Sequence, residues 1–167
     1  MPWLHGVHDA PSAFEAVLGL RPDLLRLYRD FYSTLWNGGL VPAQLLELCR
    51  LRIATVHASD AQLALHHAHT GVTDEQVRSL DGWRTAACFS PVERAVLAFA
   101  EKMPWQHHGV SDDDVAALRA HLTDAQVVAL TVAAAVFDAN CRLRLVFGIE
   151  PQPLAVEAPA TAHGVLF

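Results

Sequence analysis

The feature that most constrains the fold is a series of helix start signals, each followed by an apolar segment with helical spacing. A proline, or a Ser/Thr residue followed three positions later by an acidic or amide side chain, opens one segment after another. These signals lie at Pro22, Pro42, Ser59, Thr73, Ser90, Ser111 and Thr123. The alternation of apolar and polar residues that is typical of strands does not occur. The pattern therefore predicts an all-α chain.

Glycine and proline also mark where several helices end. Asn37-Gly38-Gly39 is a strong stop signal, because glycine takes the left-handed cap conformation at little cost. We expect helices from Pro22 to this signal, from Pro42 to residues 57–59, from Ser59 towards Gly71, from Thr73 to about Leu80, from Ser90 to Met103, from Ser111 over a short stretch, and from Asp124 to Phe147.

Length and composition predict one domain that associates with copies of itself. The 167 residues suit a single domain over residues 1–150, followed by an irregular tail over residues 151–167. Hydrophobic residues make up 52% and charged residues 18%, so we expect further apolar surface to be buried between subunits. The net charge of −6, with scattered basic residues, argues against a nucleic-acid partner.

The sequence also predicts a soluble, cytoplasmic protein. The apolar stretch at residues 127–137 is shorter than the roughly 20 residues of a membrane helix, and Asp138 follows it. The N-terminus has neither a basic start nor an apolar signal core. The three cysteines are widely spaced and do not form a disulfide framework, which fits a reducing compartment.

A short pattern recurs in three places. In residues 40–48, 72–80 and 122–130, a capping position is followed by an acidic or amide side chain and then by apolar residues. Duplicated helical modules would explain the repeat. Capping preferences alone would also produce it, because many amphipathic helices begin this way.

Titratable side chains within apolar helices are the candidates for chemistry. Glu47 and His66 lie about 15 and 10 Å from the expected turn between two helices, so antiparallel packing would bring them together. A carboxylate beside an imidazole forms a general acid/base pair, in which Glu47 orients the ring and His66 moves the proton. The alternatives are a surface ion pair between Glu47 and Arg50, and a structural role for His66.

The stretch from Glu47 to His66, followed by Gly71-Val-Thr-Asp-Glu-Gln-Val, resembles the core of the carboxymuconolactone decarboxylase/AhpD-like family. The peroxidase pattern of that family is a glutamate, eleven residues, then Cys-x-x-Cys-x-x-x-His. The matching positions here are Glu47, Ser59, Gln62 and His66. The looser similarity covers residues 20–150. It implies an AhpD-like bundle of about six to eight helices, assembled as a homo-oligomer, either a trimer or a hexamer.

Both cysteines of the peroxidase pattern are replaced. A dithiol peroxidase needs one thiolate to attack the peroxide and a second thiol to resolve the sulfenic acid, and Ser59 and Gln62 can do neither. Cys49, Cys88 and Cys141 lie outside the motif and are expected to be small buried hydrophobes. A single-cysteine reaction at Cys49 is the alternative. A peroxidase function would follow from the family name alone.

The decarboxylase branch of the family works without a redox pair and implies a different chemistry. In such a reaction His66 would donate or accept a proton, Glu47 would orient it, and Gln62 would donate a hydrogen bond to the substrate. Ser59 would contact the substrate or cap its helix. Two departures from the family are the short spacing between His66 and Gly71, and the absence of the glutamate that the decarboxylases are expected to have near Gln62.

The sequence therefore supports two hypotheses. The first is a cofactor-free enzyme that performs decarboxylation, isomerisation or lactone turnover on a small organic acid. The second is a non-catalytic binding or scaffold protein that kept the fold after it lost the peroxidase site. No metal site is expected, although the histidines of residues 66–69 are close in sequence, because neighbouring histidines on a helix point about 100° apart.

Overall fold

The computed structural model describes residues 4–6, 8–65 and 68–149. These residues contain eight α-helices and no strand, as the sequence predicts. The helices are α1 (Ala13–Leu18), α2 (Pro22–Asn37), α3 (Ala43–Val56), α4 (Asp60–Leu63), α5 (Asp74–Arg78), α6 (Pro91–Lys102), α7 (Asp112–Arg119) and α8 (Asp124–Phe147). Short 3-10 helices lie at Ala68–Thr70 and His107–Gly109. The expected tail at residues 151–167 lies outside the described residues.

Helix α3 runs through the centre of the protein and packs against α6 and α8. Ten consecutive residues, Leu45 to Ala54, are buried, so the helix has no solvent-facing side over this length. The main core combines apolar residues of α3 with those of α6, α7 and α8, and a smaller cluster surrounds Leu48, Leu51 and Trp83. Any charged residue in the middle of α3 therefore lies inside the protein.

Most predicted helix ends are confirmed. Thr73, Ser90 and Thr123 each form a complete capping box, in which two otherwise unpaired backbone N–H groups are satisfied. Helix α8 ends at Gly148, whose φ of 62° is in the left-handed region. Helix α1 is an addition to the prediction, and Ser12 caps it by accepting a hydrogen bond from the N–H of Glu15.

The predicted helix from Ser59 towards Gly71 is wrong in its length. Helix α4 ends at Leu63, and Leu65 is not helical. The predicted capping box at Ser59 is also wrong, because its side chain makes no capping hydrogen bond. His66 and His67, which would have extended this helix, lie outside the described residues.

Helix α8 is longer than the apolar stretch at residues 127–137. By length and composition it is the one helix in the described part of the chain that could cross a membrane. Its inner face, however, belongs to the main core, where Leu130, Phe137 and Cys141 are buried against neighbouring helices. The core helix of a soluble protein meets the same two criteria.

Candidate functional site

Glu47 and Arg50 form a buried ion pair at the centre of the protein. Glu47 is fully buried and the Arg50 side chain is 1% exposed. Arg50 donates from Nε to Oε2 of Glu47 at 2.8 Å and from Nη2 to Oε1 at 2.7 Å. Burial lowers the pKa of Arg50, but the Glu47 carboxylate outweighs it, so the pKa of Arg50 is raised overall. The pair thus lies in the core rather than on the surface.

Arg50 also holds the chain that follows the turn between α3 and α4. It donates from Nη1 to the backbone oxygen of Gln62 at 2.6 Å and from Nη2 to that of Leu65 at 2.7 Å. Its Nη1 lies 3.4 Å from Oε1 of the Gln62 side chain. A buried guanidinium with several acceptors fixes the geometry of all of them, because each loses a charge-assisted hydrogen bond if it moves. Arg50 thus joins Glu47 and Gln62 into one cluster.

The amide nitrogen of Gln62 is a buried donor in this cluster. The residue is 1% exposed, and its Nε2 has no hydrogen-bond partner among the described residues. Leaving such a donor without an acceptor costs about 1–3 kcal/mol, and native proteins keep few of them. A bound ligand that offers an acceptor atom would remove this cost.

Ser59 is the last residue of the turn between α3 and α4, and it is buried. The turn includes Ala58, whose φ of 50° is unusual for a residue other than glycine. Burial raises the pKa of the Cys141 thiol to about 11, while a hydrogen bond with the Ser59 side chain acts in the opposite direction. Ser59 therefore contacts helix α8.

Helices α2 and α8 contribute buried polar groups that the family pattern does not include. The hydroxyl of Tyr28 donates to Oδ1 of Asn140 at 2.6 Å, and Asn140 is fully buried. Burial, together with a smaller effect of the charge of Arg50, lowers the pKa of Arg144 to about 10. Burial also raises the pKa of Tyr32; the charge of Arg50 acts against this shift, and the charge of Glu47 adds to it. The sequence signal for these groups is the presence of two polar residues, Asn140 and Arg144, four positions apart in an otherwise apolar helix.

A second histidine–carboxylate pair was also missed. Nε2 of His57 lies 2.6 Å from Oδ1 of Asp138, and the His57 side chain is 1% exposed. Asp138 also accepts from Nε of Arg142 at 2.9 Å, and the guanidinium of Arg142 covers the ring of Trp105 at 4.7 Å. The pair joins the end of α3 to α8 and involves none of the predicted site residues.

The structure brings three of the four predicted site residues to one region. Arg50 links Glu47 directly to Gln62, and Ser59 immediately precedes α4, the helix that carries Gln62. The fourth residue, His66, lies outside the described residues, so the Glu47–His66 pair stays a prediction. In the described part of the chain, no three His, Cys, Asp or Glu side chains lie close enough to hold a metal ion.

The three cysteines do not form a reactive centre. Burial raises the pKa of Cys49 to about 12, so this thiol is protonated near neutral pH. Cys141 is buried against Ser59, and Cys88 is partly buried near the smaller core cluster. All three are unbridged. The expectation that Cys49 and Cys141 pack as small core residues is confirmed.

Comparison with known proteins shows which family model and which solved structures this chain is similar to. Residues 22–102 match the model of the carboxymuconolactone decarboxylase family. A protein of unknown function from Agrobacterium tumefaciens, provisionally assigned as the antioxidant defence protein AhpD, superimposes with a TM-score of 0.72 at 20% identity, over 81% of this chain and 94% of that one. No curated protein is similar enough in sequence to count as a relative.

A second solved structure supports the same assignment. The AhpD core of an uncharacterised peroxidase-related protein from Ralstonia eutropha superimposes with a TM-score of 0.63 at 25% identity, over 82% of this chain and 75% of that one. The matched segment includes α3, α4 and the cluster of Glu47, Arg50 and Gln62. The chain therefore has the AhpD-like fold, and its residues 22–102 match the model of the carboxymuconolactone decarboxylase family.

Proposed function

We propose that the protein is a cofactor-free enzyme that transfers protons on a small organic acid, in reactions such as decarboxylation, isomerisation or lactone turnover. The observation that carries this proposal is the buried amide nitrogen of Gln62, which lacks an acceptor among the described residues and lies beside the Glu47–Arg50 ion pair. A substrate carboxylate or carbonyl is the kind of acceptor that this donor requires.

Each residue has a defined role in the proposal. The two hydrogen bonds from Arg50 hold the Glu47 carboxylate in place, and in the proposal this carboxylate orients the imidazole of His66 and stabilises its charged form. In a decarboxylation, the bond between carbon and carboxylate breaks, carbon dioxide leaves, and its electron pair stays on the substrate carbon. His66 then gives that carbon a proton. Gln62 holds the oxygen on which negative charge develops.

The same site is unsuited to the reduction of peroxides. A peroxidase of this family would need cysteine at positions 59 and 62, where this chain has Ser59 and Gln62. Burial keeps the pKa of Cys49 near 12 and that of Cys141 near 11, so neither supplies a thiolate at neutral pH.

A non-catalytic binding or scaffold protein is the second candidate function. One observation favours it: both carboxylate oxygens of Glu47 accept hydrogen bonds from Arg50, as they would in a purely structural ion pair. In this case the cluster only fixes the turn between α3 and α4. The two functions differ in whether a small acid binds at Gln62 and His66.

A thermal-shift screen separates the two functions. Wild type, Gln62→Leu and His66→Ala would be heated with a panel of carboxylated lactones and related acids, with His121→Ala as a control at an exposed histidine. A ligand that binds only the folded state raises the melting temperature. The enzyme proposal expects a shift in wild type and in His121→Ala that both site variants lose. A compound that gives this pattern of shifts would then be tested for turnover by chromatography.

The outcomes are distinguishable. Equal shifts in all four proteins would place the ligand elsewhere and contradict the proposed site. No shift with any acid would favour the scaffold function. Binding that depends on Gln62 but occurs without turnover would favour a binding protein over an enzyme.

We also propose that the protein acts as a homo-oligomer. Four apolar residues form one exposed line at α2: Leu20 just before the helix, then Leu24, Leu27 and Phe31 on it, each between 44% and 54% exposed. Helix α8 exposes a separate set of apolar residues. Closed assemblies beyond a dimer, such as a hexamer of two trimers, need more than one contact surface, and the exposed apolar residues of these two helices support such an assembly.

A further inference from the structure

Asn140 is a second buried amide whose nitrogen is not used. The residue is fully buried in α8, and its Nδ2 has no hydrogen-bond partner among the described residues. Its Oδ1, by contrast, accepts from the hydroxyl of Tyr28 at 2.6 Å. Burial raises the pKa of Tyr28, so this hydroxyl keeps its proton and donates it to the pair. The contact therefore sets the orientation of the Asn140 amide and leaves its nitrogen for another partner.

A structural link between α2 and α8 does not require this nitrogen. The hydrogen bond from Tyr28 to Oδ1 of Asn140 already joins the two helices. A buried donor without an acceptor is costly, and native proteins keep few of them. Asn140 thus shares its unusual property with Gln62, the residue on which the proposed function rests. Two amides in this state indicate that the missing acceptors belong to a ligand.

Asn140 and Gln62 lie on elements that contact each other. The thiol of Cys141, which follows Asn140 in α8, forms a hydrogen bond with the Ser59 side chain. Ser59 immediately precedes α4, the helix that carries Gln62. The charge of Arg50, which binds the backbone oxygen of Gln62, also acts on the Cys141 thiol. The two unused donors therefore belong to one region of the protein.

The surroundings of Asn140 suit an oxygen acceptor on a largely apolar molecule. The ring of Tyr28 lies 5.9 Å from that of Phe14 and 5.8 Å from that of Tyr32, measured between centroids. Arg144 is buried one turn further along α8, and its charge acts on Tyr28. Ligand pockets commonly combine apolar walls with a few polar groups. Positive charge beside such walls favours a negatively polarised oxygen.

We propose that Asn140 is a second ligand-binding residue of this site and that Tyr28 is its positioning residue. The ligand is an acid that carries a second oxygen acceptor, such as the carbonyl of an oxo acid. Gln62 binds one oxygen of this ligand, and Nδ2 of Asn140 binds the other. The inference rests on the proposed function and narrows its substrate class. Two separate donors also orient the ligand, because only one placement satisfies both.

The test compares three pairs of small acids that differ only in one carbonyl. They are propionate and pyruvate, butyrate and acetoacetate, and valerate and levulinate, so the carbonyl lies one carbon further from the carboxylate in each successive pair. Binding constants follow from the rise of the melting temperature with ligand concentration. We expect at least one oxo acid to bind wild type about three- to tenfold more tightly than its simple acid, through one additional hydrogen bond.

Variants locate the second contact. Asn140→Leu has a similar shape and no donor, so it should bind each oxo acid no more tightly than the simple acid. Tyr28→Phe frees the Asn140 amide to turn and should lose part of the preference, which a purely structural role of Tyr28 would not affect. The control Asn37→Leu makes the same change at the exposed end of α2 and should keep the wild-type preference.

Circular dichroism would confirm that each variant is folded. If Asn140→Leu does not fold, Asn140→Asp replaces it, since aspartate keeps the acceptor for Tyr28 and removes the donor. The expected result is the same, because no N–H remains at this position to bind the carbonyl.

Three results would overturn the inference, and they differ in what they mean for the proposed function. Equal binding of simple and oxo acids by wild type, with binding lost in Gln62→Leu, would remove the second contact and leave the proposed function intact. A preference for oxo acids that persists in Asn140→Leu would place the second donor elsewhere. No binding of any acid would contradict the proposed function, and the role of Asn140 would fail with it.

Discussion

Single residues in α3 show how the environment decides the role of a charged side chain. Glu47 and Arg50 have the spacing of an ordinary surface ion pair, and the pair does form. Its setting differs, because α3 is covered on every side and both side chains are removed from water. Taking two charges out of water costs several kcal/mol per ion, which only precise geometry and further hydrogen bonds offset. Arg50 meets this requirement through Gln62 and Leu65.

Breaking this pair should destabilise the protein strongly. Arg50→Met leaves the Glu47 carboxylate buried without its cation, so we expect the free energy of unfolding to fall by about 3–5 kcal/mol. Urea unfolding followed by circular dichroism measures the change. The double variant Glu47→Leu with Arg50→Met removes both charges and should lose less than the sum of the two single variants.

The double variant also separates the ion pair from the other contacts of Arg50. It still loses the hydrogen bonds to the backbone oxygens of Gln62 and Leu65, so it should not regain full wild-type stability. Strictly additive effects of the two single variants would contradict a coupled, buried pair.

At the scale of helices, the sequence predicted most boundaries because caps act locally. Thr73, Ser90 and Thr123 satisfy their own neighbouring backbone groups, so their signal needs no knowledge of the rest of the fold. Ser59 has the same local pattern, but its side chain faces Cys141 of α8 instead. A tertiary contact of this kind leaves no trace in the neighbouring sequence.

Contacts between distant segments likewise limit how much of the site could be predicted. Glu47, Ser59 and Gln62 could be selected because a family pattern spans them in sequence. The role of Arg50 as the link among them depends on the turn that returns the chain to α3. Asn140 and Tyr28, which are 112 residues apart, meet only through the packing of α2 beside α8.

The end of α2 offers a test of backbone conformation without side-chain clashes. Gly39 has a φ of 65°, and a Cβ atom placed there would meet nothing within 4 Å. Gly39→Ala should therefore lower the free energy of unfolding by about 1 kcal/mol through strain alone. Thermal unfolding followed by circular dichroism measures it.

Gly82 is the matched control for this change. A Cβ at Gly82 also meets nothing within 4 Å, but its φ is outside the left-handed region. Gly82→Ala should leave stability unchanged or raise it by about 0.5 kcal/mol, because alanine reduces the freedom of the unfolded chain. Equal effects of the two variants would show that the left-handed conformation of Gly39 is not maintained in solution.

Glu101 joins α6 to α3 and to the segment after α5, and it should make stability depend on pH. It accepts hydrogen bonds from Arg52, Trp83 and Arg84, each at 2.9 Å. Burial raises the pKa of Glu101, but these three donors outweigh it and lower the pKa below its ordinary value of 4.5. The stabilisation is therefore fully present above pH 4.5 and is lost as the pH falls through the lower pKa of the folded state.

Glu101→Gln should lower the free energy of unfolding by about 1–2 kcal/mol at pH 7, a value reduced by the partial exposure of the carboxylate. The difference from wild type should shrink between pH 5 and pH 3 in urea titrations, since wild type then loses the same charge. The control Glu75→Gln, at an exposed position of α5, should match wild type throughout. A difference that stays constant with pH would show that charge on Glu101 contributes nothing.

At the scale of the whole molecule, the buried polar cluster and the exposed apolar faces belong to one arrangement. Helix α3 occupies the centre, and α8 covers it with Leu130, Ala134 and Phe137. Because α8 carries apolar residues on both sides, its packing over α3 leaves Val128, Val132 and Val146, which we call its outer face, exposed. Within a single chain this surface stays in contact with water. Association of two copies would bury α8 on both sides and so protect the helix that carries Asn140, Cys141 and Arg144.

Thermal stability should therefore depend on protein concentration. Unfolding of an oligomer releases separate chains, so mass action favours the folded state at higher concentration. For a domain of this size we expect the melting temperature of wild type to rise by about 2 °C for each tenfold increase in concentration. Ala135→Glu, at an exposed position of α8, should show a melting temperature independent of concentration, while Ala117→Glu, the same change at an exposed alanine of α7, should behave as wild type. Scanning calorimetry or nanoscale fluorimetry between about 2 and 200 µM covers the range in which stable dimers dissociate. A wild-type melting temperature that stays constant over this range would mean that α8 keeps its apolar outer face in water, and that the stability of the fold resides in the single chain.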